Sequence, residues 1–118
     1  MLKKEILRNK DDFSTIYRKG KSIGGRYIVL FYKRNNLPYN RTAFLASKKV
    51  GNSVVRNRAR RLMRESYRFM CEDIKTGDDI IFIARNTIVG RKFCDIQKSM
   101  NSVVKKAKLY NGARGDVK

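Results

Sequence analysis

The 118 residues contain no histidine, no tryptophan, one proline and two cysteines. Acids are scarce as well: 10 Asp+Glu stand against 29 Lys+Arg, a formal net charge of +19. Without histidine the chain lacks the commonest general base and a leading metal ligand. Cys71 and Cys94 stand far apart with no CxxC spacing, which argues against a zinc centre or redox motif and leaves free thiols. No apolar run is long enough to span a bilayer, and the opening Met1-Leu2-Lys3-Lys4-Glu5 lacks the apolar stretch of a signal peptide. A cytoplasmic protein without a membrane partner is therefore expected.

What is present is a modest core and a large excess of positive charge. At 42% hydrophobic, residues 1–118 are read as one domain, with loose ends at 1–8 and 111–118. Folding does not need a charge of +19, and self-repulsion opposes compactness. A polyanionic partner, nucleic acid before membrane, is what such a balance points to.

The excess concentrates between Val50 and Met70. On an ideal helix, Val55, Ala59, Leu62, Met63, Ser66, Phe69 and Met70 share about one third of the circumference. Arg56, Asn57, Arg58, Arg60, Arg61, Arg64 and Arg68 take the rest, with Glu65 as the only acid. An ordinary solvated helix mixes charges in i,i+4 pairs. This one calls for phosphate, which a guanidinium fork binds bidentately. Asn52 or Ser53 is placed to cap it.

Around that helix the chain reads α-β-β-α-β-α, an α+β sandwich with a small sheet. Asn9 caps a first helix ending at Lys19, with Asp11 and Asp12 in its first turn and Phe13, Ile16 and Tyr17 as a stripe. Gly20 to Arg26 reads as a basic connection. Tyr27 to Lys33 is a strand apolar on both faces, so either both are covered or one offers aromatics to a ligand. Thr42 to Ser47 is a second strand, expected to pair with the first as an antiparallel hairpin. Asp79 to Ala84 is a third, suited to a central place. A last helix covers Lys92 to Lys108, with Phe93, Ile96, Met100, Val103, Val104 and Ala107 on one face.

Lys48-Lys49-Val50-Gly51-Asn52, then Arg56-Asn57-Arg58, then Arg60-Arg61-Leu62-Met63-Arg64-Glu65, closely resembles the signature of the bacterial ribonuclease P protein subunit. Asp12-Phe13 with Tyr17, Arg26 to Phe31 and Ile80 to Arg85 resemble other blocks of that family. The resemblance runs from about Asn9 to Leu109. It implies the same sandwich, a mixed sheet and a left-handed βαβ crossover, against the usual right-handed rule. It also implies a ribonucleoprotein partner: a catalytic RNA that removes the 5′ leader of precursor tRNA, with Mg2+ required by the RNA and no cofactor held by the protein. No obligate protein partner is implied. Arg56, Asn57, Arg58, Arg61 and Arg64 match the region facing the catalytic RNA, with Arg60 and Arg68 on the same helix and Lys48, Lys49 and Asn52 on the adjoining turn. Phe13, Tyr17 and Phe31 match the aromatic floor of the leader-binding cleft.

Two other classes fit the composition. A ribosomal protein or RNA chaperone would show the same size and charge, but not this motif in this setting. A protein nuclease with its own metals would need converging carboxylates. Only Asp11-Asp12, Glu72-Asp73 and Asp78-Asp79 offer acids in pairs, and each has an ordinary reading as a turn or first-turn residue.

Overall fold

A computed structural model describes residues 2–111. Three helices, α1 (Lys10–Lys19), α2 (Ser53–Met70) and α3 (Phe93–Lys106), pack on a four-stranded sheet of β1 (Lys21–Gly24), β2 (Ile28–Arg34), β3 (Arg41–Leu45) and β4 (Asp78–Ala84). The strand order is β1-β2-β4-β3. β1 and β4 each run antiparallel to β2, and β3 runs parallel to β4. The sheet is thus mixed, and α2 lies in the connection between its two parallel strands.

Two strand expectations are corrected. β2 and β3 are not a hairpin, because β4 lies between them. Ile80, Ile81 and Phe82 are fully buried, so β4 is apolar on both faces and only a central position hides both. Gly20 to Arg26 is not merely a connection, because Lys21–Gly24 forms the edge strand β1. Its sequence KSIG carries no apolar alternation, and its only partner is β2. Gly20, where α1 stops, has an ordinary negative φ. A Cβ there would lie 2.5 Å from the Ile16 carbonyl oxygen and 2.6 Å from that of Tyr32, so close approach demands glycine.

At the N-terminal end, local contacts reach Leu7. Lys3–Glu5 form a 3-10 turn, the Leu7 N–H donates to the Thr42 carbonyl at 3.0 Å, and Leu7 is buried. At the other end, the Asn111 N–H donates to the Asp73 carbonyl at 2.7 Å. The expectation of a loose tail at 112–118 lies outside the described residues.

The two faces of the sheet are covered differently. Under α2 and α3, Ile28, Leu30, Phe44, Ile80 and Phe82 join Met63, Tyr67, Met100, Val103 and Val104 in the main core. Under α1, a smaller cluster holds Leu7, Ile16, Ala43 and Ile81, with Phe13, Phe31, Leu45 and Ile83 only half-buried. Among the described residues no helix is long and apolar enough to cross a membrane. Cys71 and Cys94 are free thiols.

Candidate nucleic-acid interface

The arginine helix begins as its sequence dictates. The Asn52 side chain accepts from the Val55 N–H at 3.1 Å, and Asn9 does the same for Asp11 at the start of α1 at 2.8 Å. Lys48 and Lys49 are exposed in the turn just before Asn52. They add charge to the positive end of the α2 dipole.

Along α2, Asn57, Arg58, Arg61, Arg64 and Arg68 are exposed, while Arg56 and Arg60 are half-buried. None of these arginines has an ion-pair partner among the described residues. Their protein contacts are few. Arg58 donates to the Arg91 carbonyl at 3.1 Å, Arg60 donates to the Asn57 side-chain oxygen, and the Arg64 guanidinium lies 5.6 Å from the Phe44 ring centre. Arg56 differs from the rest, because its Nε is buried without a hydrogen-bond partner. It belongs partly to the packing and is not purely a surface cation.

The apolar stripe of α2 is rotated from its expected place. Ala59, Met63, Ser66, Tyr67 and Met70 are buried, whereas Phe69 is 68% exposed. At 100° per residue the shift is about 40° toward Tyr67. Aromatic packing accounts for it. The Tyr67 ring lies 5.6 Å from Phe44 and 5.8 Å from Phe82, and its hydroxyl and that of Thr42 are hydrogen-bonded at 3.2 Å. Burial pushes the Tyr67 phenol pKa up, so the hydroxyl stays neutral.

The opposite face of the sheet carries the aromatics. Phe13 and Tyr17, one turn apart on α1, have ring centres 6.3 Å apart, and Tyr17 meets Phe31 of β2 edge-on at 5.0 Å. The structure brings all three together. Tyr17 keeps 43% of its surface, while Phe13 and Phe31 are half-buried. Partial burial raises the Tyr17 phenol pKa, which keeps it uncharged at neutral pH. Register then extends the patch. Phe31, Ile81 and Ala43 form one cross-strand row, and Val29, Ile83 and Leu45 form the next. The second row is half-buried in full, so α1 leaves it partly open. Lys48 and Lys49 follow Leu45 by three and four residues in the chain and are exposed. Leu45 and Ile83 were not singled out from sequence. The signal for Ile83 was the doubly apolar run of β4, which had to serve both faces; Leu45, at the end of β3, follows only from the register of β3 with β4.

α1 is fastened to the sheet by one arginine. Arg41 donates to both Asp79 oxygens, at 2.8 and 2.6 Å, and to Asp12 on α1 at 3.1 Å. Asn35 also donates to Asp79 at 2.9 Å. The bond to Asp79 raises the Arg41 pKa against the cost of burial. Two of the acids considered for metal-dependent cleavage are therefore committed to a guanidinium. Among the described residues no group of three or more His, Cys, Asp or Glu could hold a metal ion.

A strongly basic α+β sandwich with an arginine helix lacking ion-pair partners on one side and a half-open aromatic patch on the other defines an RNA-binding class of protein. The Ribonuclease P family profile matches residues 1–108. A ribonuclease P protein component of a Thermoanaerobacter species is 43% identical over 113 residues, spanning 94% of this chain and 97% of the relative. One from Clostridium botulinum is 42% identical over 111 residues, covering 93% of this chain and all of the relative. The solved Staphylococcus aureus RNase P protein superposes with a TM-score of 0.83 at 34% identity, covering 91% of this chain and 98% of that one. The Thermotoga maritima protein gives 0.79 at 28%, covering 86% and 96%. The chain belongs to the ribonuclease P protein-component family.

Proposed function

We propose that this chain is the protein component of a ribonuclease P ribonucleoprotein, which removes the 5′ leader from precursor tRNA by hydrolysis. Its partner is the RNA subunit, which performs the cleavage with Mg2+; the protein supplies binding surfaces and no catalytic group. The work is cytoplasmic. The exposed face of α2, with Lys48, Lys49 and Asn52 at its start, docks the RNA through phosphates. The groove floored by Phe13, Tyr17 and Phe31 takes the leader. Aromatic faces stack any base while nearby cations hold phosphates, which suits a leader of varying sequence.

The observation that carries this reading is the row of α2 arginines without acidic partners, together with the half-covered aromatics on the opposite face of the sheet. A ribosomal protein or RNA chaperone would share the charge, but the family match over residues 1–108 favours the ribonuclease P reading.

The test is reconstitution. Purified protein with magnesium should leave precursor tRNA intact and should enhance cleavage once the RNA subunit is added. Changing Arg58, Arg61 and Arg68 together to alanine should weaken assembly and lower the slope of log affinity against log salt by roughly 2–3, one released counterion per lost phosphate contact. These three are exposed, so folding should be unaffected. An unchanged salt slope would overturn the docking assignment. RNA-free cleavage would overturn the division of labour.

A further inference from the structure

One feature of α2 is used neither by the core nor by the arginine face. Phe69 is 68% exposed near the end of the helix. It is not a stray surface hydrophobe, because the half-buried Phe93 of α3 supports it edge-on, with ring centres 6.0 Å apart at 64°. Beside the ring opens a cavity of about 320 Å³ lined by Phe69, Met70, Gln97, Lys98 and Asn101. Phe93, Gln97 and Asn101 follow one another at intervals of four on α3, so they share a face. The Asn101 amide is held in place, because its oxygen accepts from the Tyr110 hydroxyl. That bond engages the amide oxygen and leaves the NH2 as the donor this lining residue still has to give.

From this we infer that the cavity between α2 and α3 receives one unpaired nucleotide of the RNA subunit, its base laid against Phe69. The inference rests on the reading above that α2 docks that RNA. An aromatic wall, amides for a base edge and a cation for phosphate are the parts by which proteins hold splayed-out bases. Charge selects RNA over a second protein surface. Lys98 lines the cavity, and Arg61 and Arg68 occupy the flank of α2 roughly 80–100° around from Phe69. The base contact adds affinity that does not depend on counterion release, whereas the arginines supply the salt-dependent part.

The experiment uses the reconstituted ribonucleoprotein with Phe69→Ala, Phe69→Tyr and the triple Arg58/Arg61/Arg68 alanine variant. Base-reactive chemical probing of the RNA subunit should show an unpaired nucleotide protected by wild-type protein and by Phe69→Tyr, and newly reactive with Phe69→Ala. Phe69→Ala should weaken assembly about 5- to 150-fold, the range for losing one base–aromatic stack, with the salt slope unchanged. Because Phe69 is exposed, its thermal melt should match wild type. If Phe69→Ala assembles with wild-type affinity and footprint while the arginine variant fails, the cavity is not a base site and the docking reading stands. If the arginine variant also assembles normally, the docking reading itself falls. Concentration-dependent dimerisation of the free protein, lost in Phe69→Ala with no change in the footprint, would reassign the patch to a second copy of the chain.

Discussion

The two faces of the four-stranded sheet are treated in opposite ways. On β2, Ile28 and Leu30 are wholly buried under α2 and α3, while Val29 and Phe31 on the other side stay half-open under α1. An 18-residue and a 14-residue helix close one face, and a single 10-residue helix partly covers the other. The closed face supplies stability. The half-open face gives up burial and keeps a surface on which something else can pack. The leader strand proposed as ligand would have a surface to stack against on the half-open face, whereas a fully sealed sheet offers none.

The sharpest way to break the comparison is one aromatic deletion on each face. Phe82 is wholly buried, stacked 5.7 Å from Phe44 with its plane within 7°, and flanked by Tyr67. Phe82→Ala should destabilise by about 3–5 kcal/mol, the range for emptying a tight core site. Phe31→Ala, half-exposed at the start, should cost roughly half as much or less. Urea melts of the two variants decide the matter. Equal losses would mean that the open face is core after all.

Next in size is the fastening of α1. Arg41→Ala leaves Asp79, with 7% of its side chain exposed, without its bidentate partner and frees Asp12. Removing one partner of a fully buried pair costs about 3–5 kcal/mol. Arg41 keeps 24% of its side chain in water, so a loss on the order of 2–3 kcal/mol is expected. Amide hydrogen exchange should show the loss concentrated in α1, with α2 and α3 protected as before. Uniform loss across the chain would place Arg41 in the global core instead of in the α1 attachment.

How much of this was legible follows the same division. Local chemistry could be read directly: the Asn9 and Asn52 caps, the arginine face of α2, and the stripe that puts Phe13 beside Tyr17. Long-range pairing was harder. Adjacent strands usually pair, so β2 and β3 looked like a hairpin. The competing signal, a strand apolar on both faces, marks β4 as central, and a central β4 is what separates β2 from β3. β1 has no apolar alternation and exists because β2 offers it an edge. The 40° rotation of α2 was hidden because ideal geometry gives an apolar sector without saying where its centre lies; the Phe44 and Phe82 rings, which Tyr67 packs against, settle that. The same rotation put Phe69 outside.

Smaller still is the expected effect on substrate choice. Tyr17→Ala should lower the affinity of the holoenzyme for precursor tRNA by on the order of 1–2 kcal/mol, the worth of a base–aromatic stack. Affinity for mature tRNA, which lacks a leader, should barely move, and the loss should be similar for leaders of different sequence. The ratio of the two affinities is the measurement. A parallel fall in both would take Tyr17 out of the leader groove.

The smallest effect separates two neighbouring acids that point to opposite faces. Asp79, on the α1 side, is satisfied by Arg41 and Asn35. Asp78, on the α2–α3 side, is buried with Oδ2 unpartnered. Burial raises its pKa above the usual 3.8, with Lys75 and Arg34 only partly opposing the shift. The sign follows from linkage. Between the unfolded value and the raised folded value, the native state holds more protons than the unfolded chain, so stability falls as pH rises through that window and then levels off. Asp78→Asn removes the titration. Its stability relative to wild type should therefore climb as pH is raised from below 3.8 toward neutrality. Melting both proteins across that pH range gives the difference curve. A difference that falls with pH would mean that the attraction of Lys75 and Arg34 outweighs the burial of the carboxylate, and that the closed face tolerates this charge as well as the open face tolerates Asp79.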